Sequence, residues 1–152
     1  RGADEIDLVI PYKALIGGDE RKVLEYVKTS KEACGTQAQL KVIIESGELS
    51  DDLIATATKL AIDGGADFVK TSTGKVAVNA TLAATDIMLS TIKTSGKKVG
   101  FKAAGGVRTV TDAAEYLALA ESIMGEAYLQ PELFRFGASG LLKDVYATLN
   151  ES

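Results

Sequence analysis

Two periodicities of apolar and polar positions alternate along the chain. Five short runs repeat every second residue: Glu5-Ile6-Asp7-Leu8-Val9-Ile10, Leu40-Lys41-Val42-Ile43-Ile44-Glu45, Asp67-Phe68-Val69-Lys70-Thr71, Lys98-Val99-Gly100-Phe101-Lys102-Ala103 and Phe134-Arg135-Phe136-Gly137-Ala138. A period of two belongs to a strand, whose side chains alternate between faces. Pro11, Ser46-Gly47 and Thr73-Gly74 end the first three runs. Between the runs, apolar residues recur at helical spacing. Val23, Leu24, Val27 and Cys34 form a stripe within residues 19–34. Leu53, Ile54, Ala57, Leu60 and Ala61 form another between Ser50, a good N-cap, and Gly64-Gly65. Leu82, Ile87, Leu89 and Ile92 mark residues 81–94. Thr111 is expected to cap a further helix running to about Met124, and Ser139 to open a last one ending near Leu149.

Strand and helix thus alternate five times, with strands beginning near residues 5, 40, 67, 98 and 134. Strict alternation demands parallel strands joined by crossover helices, an α/β fold. An open doubly wound sheet and part of a (β/α)8 TIM barrel both satisfy it. The chain carries neither a G-x-G-x-x-G nor a Walker A pattern, which weakens the nucleotide-binding versions. No linker or low-complexity stretch divides residues 1–152, so one domain is expected. Gly2-Ala3-Asp4 and Gly65-Ala66-Asp67 each precede a strand, a trace of internal repetition.

Strand parity sorts the charges. Ile6, Leu8 and Ile10, then Leu40, Val42 and Ile44, then Val99 and Phe101 make apolar faces suited to packing under helices. The opposite parity carries Asp7, Lys41, Glu45, Lys70 and Lys102. Several charges on one inward face read as a lined site rather than as solvated surface. Lys70 and Lys102 lie on successive strands, about 4.8 Å apart if those strands are neighbours. Two ammonium groups roughly 4 Å apart repel by about 4 kcal/mol at an effective dielectric of 20. That is enough to lower one lysine pKa by up to about 3 units. A lysine brought toward neutrality is a competent amine nucleophile. Asp7 is the carboxylate at hand for proton transfer, or a structural counter-ion to one of the lysines.

A second constellation lies in the turns after strands three, four and five: Thr73-Gly74-Lys75, Gly105-Gly106-Val107-Arg108 and Gly137-Ala138-Ser139-Gly140. Glycine-rich turns leading into helix N-termini present backbone N–H groups to an anion.

Composition narrows the chemistry. The chain has no histidine, which removes Ser-His-Asp hydrolysis, Cys-His proteolysis and His-ligated zinc. Net charge is −4, against a nucleic-acid or anionic-membrane footprint. No apolar run is long enough to span a bilayer, and no signal peptide is evident. Cys34 is the single cysteine, which fits a reducing, cytoplasmic setting. Asn79-Ala80-Thr81 and Asn150-Glu151-Ser152 match the glycosylation pattern and are read as chance. The chain opens at Arg1 without a methionine, which suggests part of something longer.

Val69-Lys70-Thr71-Ser72-Thr73-Gly74, taken with Gly100-Phe101-Lys102-Ala103-Ala104-Gly105-Gly106-Val107-Arg108, resembles the 2-deoxyribose-5-phosphate aldolases. These are class I, Schiff-base aldolases of nucleotide catabolism. The resemblance extends to Glu5-Ile6-Asp7, Lys41-Val42-Ile43-Ile44-Glu45 and Arg135-Phe136-Gly137-Ala138-Ser139, essentially the whole chain. It implies that Lys70 forms the imine, Lys102 tunes it, and Asp7 moves protons. It also implies a substrate- and phosphate-binding set of Thr73, Gly74, Lys75, Gly105, Gly106, Arg108, Gly137 and Ser139. The substrates implied are a phosphorylated sugar and acetaldehyde, with no metal or organic cofactor and no nucleic-acid or membrane partner. Ala103 and Gly140 depart from the family pattern, where proline and a second serine are common. The family barrel has eight strands, and this chain matches strands four to eight. The other readings are a different Schiff-base barrel aldolase, or a non-catalytic barrel fragment that self-associates.

Overall fold

The structure, a computed structural model, describes residues 2–150. Arg1, and the last two residues of Asn150-Glu151-Ser152, lie outside the described residues. Five strands form one sheet: β1 (Glu5–Val9), β2 (Gln39–Ile43), β3 (Phe68–Lys70), β4 (Gly100–Ala104) and β5 (Phe134–Gly137). They lie in the order of the chain, and every neighbouring pair is parallel. Helices α2 (Glu20–Cys34), α3 (Asp51–Asp63), α4 (Leu82–Ser95) and α5 (Val110–Met124) cross over between them, and α6 (Ser139–Asn150) follows β5. This is the expected α/β fold, five consecutive βα units of a TIM-barrel-like sheet.

The apolar parity packs where it was expected in β2, β3 and β4, whereas Ile6 of the edge strand β1 is exposed. Leu40, Val42, Ile44, Val69, Phe101 and Ala103 are fully buried in one core with Val23, Val27, Ala57, Ala61, Met88, Leu89 and Ile92 of the helices. Gly100 owes its identity to the other face. A Cβ there would sit 2.4 Å from the Phe68 ring, so only glycine lets this buried ring cross the neighbouring strand.

The element ends need corrections. A short helix, α1 (Tyr12–Ile16), follows Pro11 and has no periodic signature in its five residues. The cap of α5 is Thr109, not Thr111: its hydroxyl accepts from Asp112 N–H while the Asp112 carboxylate accepts from Thr109 N–H, a capping box. Ser50 stands at the N-cap of α3 but makes no side-chain cap hydrogen bond. Thr81 caps α4 by accepting from Ala84 N–H, so the Asn79-Ala80-Thr81 match is a helix start. Strand β2 stops at Ile43, and Glu45 leaves the strand with a left-handed backbone at φ 57°.

β1 and β5 are the two edges of the sheet, four gaps of about 4.8 Å apart if it were flat, roughly 19 Å. Yet Arg135 of β5 donates to Glu5 of β1 at 2.6 Å. The sheet is therefore rolled, concave on the face that carries the charges. Among the described residues, no helix is long and apolar enough to cross a membrane.

Candidate active site

The concave face is built in rows. Register places Ile43, Lys70, Lys102 and Arg135 side by side, and Asp7, Lys41 and Phe68 side by side one row toward the strand N-termini. Lys70 and Lys102 are thus direct cross-strand partners, and both point inward because parity allows nothing else.

Asp7 joins the two rows. Its Oδ2 accepts from Lys70 Nζ at 2.7 Å, and its Oδ1 lies 3.6 Å from Lys41 Nζ. Lys41 itself is buried and donates to Glu5. Glu5 in turn holds Arg135, whose guanidinium stacks 4.6 Å above the Phe68 ring. A continuous chain of charge, Arg135–Glu5–Lys41–Asp7–Lys70, therefore runs across the concave face, closed on one side by Phe68. Sequence parity found Asp7, Lys41, Lys70 and Lys102 on this face. It missed Glu5 and Arg135 as members of the network, although Glu5 has the parity of Asp7 and Arg135 alternates with the apolar pair Phe134 and Phe136.

The electrostatics follow from these neighbours. Burial pushes the Lys102 ammonium below its ordinary range, and the charge of Lys70 beside it pushes the same way. Repulsion between the lysines acts in the expected direction, but desolvation is the larger cause. Burial alone would raise the Asp7 carboxyl; the hydrogen bond and charge of Lys70, with the charges of Lys41 and Lys102, outweigh it and hold Asp7 low. Arg135 first, then Lys41, hold Glu5 low.

A carboxyl lowered in the folded state stabilises the fold above its unfolded value, near 3.8 for Asp7, and that contribution is lost as pH falls through the folded value. Asp7→Asn should therefore flatten the acid limb of the stability curve, read by urea unfolding between about pH 5 and pH 2. Glu5 keeps a residual slope there. An unchanged acid limb would mean that Lys70 and Lys41 contribute nothing through Asp7.

The glycine turns also meet. Residues 105–108 and 137–140 line a hollow of about 320 Å³ between the loops that lead into α5 and α6. Gly105 N–H donates to Gly137 O at 3.1 Å, tying the two turns together. Gly105 and Gly106 both have positive φ, 75° and 88°, a backbone that residues with a Cβ resist. Asp112 and Asp144 anchor the loop by accepting from the N–H groups of Arg108, Thr109 and Val110. Lys102 connects the hollow to the lysine pair, because a Cβ on Gly137 would lie 3.0 Å from Lys102 Cε. Gly140 opens on free space, so the serine common at this position elsewhere would fit.

Gly105, Gly106, Arg108, Gly137 and Ser139 are therefore brought together. Thr73, Gly74 and Lys75 do not line that hollow. Thr73 is occupied otherwise: its N–H and hydroxyl both donate to the buried carboxylate of Glu45. Gly74 and Lys75 stand exposed beside it.

Comparison with known proteins gives a consistent picture. A family profile described as DeoC/LacD family aldolase matches residues 1–144. The deoxyribose-phosphate aldolase of Agrobacterium fabrum is 59% identical over 149 residues, 97% of this chain and 58% of that protein. A crystal structure from Coccidioides immitis, assigned as a deoxyribose-phosphate aldolase, superposes with a TM-score of 0.84 at 30% identity, covering 97% of this chain and 53% of that one. An apo structure from Toxoplasma gondii with the same assignment gives 0.88 at 26% identity, over 97% and 60% of the two chains. The chain thus spans a little over half the length of these relatives.

Proposed function

This chain belongs to the DeoC/LacD family of aldolases, and we propose that it carries the chemistry of a deoxyribose-phosphate aldolase acting through a lysine Schiff base. The observation that carries this reading is the cross-strand pair Lys70–Lys102 with Asp7 bound to Lys70 at 2.7 Å. In the cleavage direction, the Lys70 amine attacks the aldehyde carbon of open-chain 2-deoxyribose 5-phosphate. The carbinolamine loses water to an iminium. A base takes the proton of the C3 hydroxyl, the C2–C3 bond breaks, and its electron pair moves into the iminium, which becomes an enamine. Glyceraldehyde 3-phosphate leaves. The enamine takes a proton on its terminal carbon, and hydrolysis releases acetaldehyde and free Lys70. The imine is the electron sink, so the residues themselves suffice. Asp7 and Lys102, with water, are the proton carriers within reach.

The chain is proposed to be five of the eight βα units of a barrel, strands four to eight, acting on its small phosphorylated substrate in the cytoplasm. The lowered Lys102 favours one second reading, in which Lys102 is the nucleophile and Lys70 the neighbouring lysine that tunes it. Borohydride reduction in the presence of acetaldehyde tests both. The expected result is an ethyl adduct on the peptide containing Lys70; an adduct on the Lys102 peptide would reverse the roles, and no adduct in a chain carrying all eight units would overturn the reading.

The hollow is proposed to take the phosphate. Gly106→Val is a poor probe, since φ 88° and Ala80 O at 3.3 Å from a Cβ make it a strained substitution whatever binds there. Arg108→Gln is better, because the Arg108 side chain is exposed at the hollow. It should raise KM for the phosphorylated sugar about tenfold, the worth of one charge-assisted contact. The non-phosphorylated sugar should be unaffected, and Lys75→Gln should have the smaller effect. Equal losses on both sugars would assign Arg108 to the fold.

A further inference from the structure

Glu45 is the one residue other than glycine, among those described, with a positive φ. At φ 57° and ψ 56° it is fully left-handed, a conformation that costs a residue with a Cβ and persists only where its surroundings impose it. It is 2% exposed. A strained backbone under a buried carboxylate is a double cost, and both parts of it have the same destination. Oε1 accepts from Thr73 N–H at 3.0 Å, and Oε2 accepts from the Thr73 hydroxyl at 2.6 Å. The Thr73 oxygen accepts in turn from Lys75 N–H at 3.1 Å. One carboxylate therefore fixes residues 73–75, the segment that begins three residues beyond Lys70. The neighbouring Ser46 N–H donates to Thr71 O at 2.8 Å, so the same turn also grips the end of β3.

We propose that Glu45 is a positioning residue: it holds Thr73 so that the loop after β3 stays fixed beside Lys70 while substrate enters and leaves. The inference rests on the reading of Lys70 given above. It also leaves the Thr73 hydroxyl able to meet a substrate only as an acceptor, since its proton is already given to Glu45.

Amide hydrogen exchange, read at residue level by mass spectrometry on the full chain, tests the loop without any turnover. Glu45→Gln keeps an oxygen for the Thr73 N–H and should leave exchange at Thr73 within about threefold of the parent. Glu45→Gly removes the carboxylate but suits the left-handed backbone, so the fold survives. Exchange at Thr73 and Lys75 should then quicken roughly tenfold to a hundredfold, the range for a hydrogen bond to a charged group. Thr71 N–H, bonded to Lys102 O at 3.1 Å in the ladder, should stay as slow as before. Equal acceleration at all three amides, or none at any, would overturn the proposal. In the acetaldehyde trap, Glu45→Gly should slow adduct formation about tenfold, with Glu45→Gln restoring most of it. Trapping at the parental rate in Glu45→Gly would also overturn it. If a parent carrying all eight units traps no aldehyde, the reading of Lys70 fails, and exchange alone still decides whether Glu45 holds the loop.

Discussion

Replacing Lys70 by leucine should abolish the borohydride-trapped adduct completely, the largest effect expected of any single substitution in this chain. The reason is chemical rather than energetic: the imine needs an amine at that atom, and leucine offers none. The fold should survive the change. Lys70 lies on the concave face next to Ile43 and Lys102, its side chain is mostly buried, and an apolar residue of similar reach packs there without leaving a buried charge. Asp7 loses its 2.7 Å partner but keeps Lys41 at 3.6 Å. Lys102→Leu should behave differently. The nucleophile remains, but the positive neighbour that crowds it is gone and a proton carrier is lost. Trapping should persist at a rate lower by about 10² to 10⁴, the usual range for a general acid–base group. The two variants, compared by adduct mass on each lysine peptide across pH, separate nucleophile from partner.

The second large effect concerns assembly. The 152-residue chain by itself should not sediment as a monomer. β1 and β5 are edges, each with one side of its backbone unpaired among the described residues. β1 is exposed along most of its length, with Ile6 and Val9 both more than a third accessible. Beyond the other edge, Leu142, Tyr146 and Leu149 form an apolar stripe on α6 that is over half exposed. An edge strand that carries no lysine and a bare helix stripe are features that natural proteins cover or blunt. Five strands cannot close a barrel whose tilt and shear require eight, so the edges cannot satisfy one another within one chain. The Glu5–Arg135 contact brings their side chains together without pairing their backbones. Sedimentation velocity is expected to show dimers or larger species, shifted toward monomer by Ile6→Lys. A single monomeric species that melts cooperatively would refute this.

The sequence by itself determined the succession of elements, their parallel pairing and the face each strand side chain takes. Those follow from local periodicity and from the handedness of crossovers, neither of which depends on distant partners. It was enough to place Lys70 and Lys102 on successive strands, and to give Asp7 the same inward parity. Short-range chemistry was legible only in part. Thr109 and Thr111 are equal as caps until the spacing to Asp112 is noticed, and α1 is too short to show a period.

Tertiary structure decided which charges touch. Glu5 and Arg135 are 130 residues apart in sequence and lie on opposite edges of the sheet; their contact exists only because the whole sheet is rolled. Register on the neighbouring strand lets Lys41 reach both Glu5 and Asp7, with Asp7 directly opposite and Glu5 diagonal to it. Burial, a property of the assembled fold, rather than charge repulsion alone, is what lowers Lys102 most. Glu45 shows the limit most clearly. Strand parity carried Glu45 onto the charged face as if the strand continued, but the strand ends two residues earlier and a left-handed turn brings its carboxylate to Thr73, 28 residues farther along the chain.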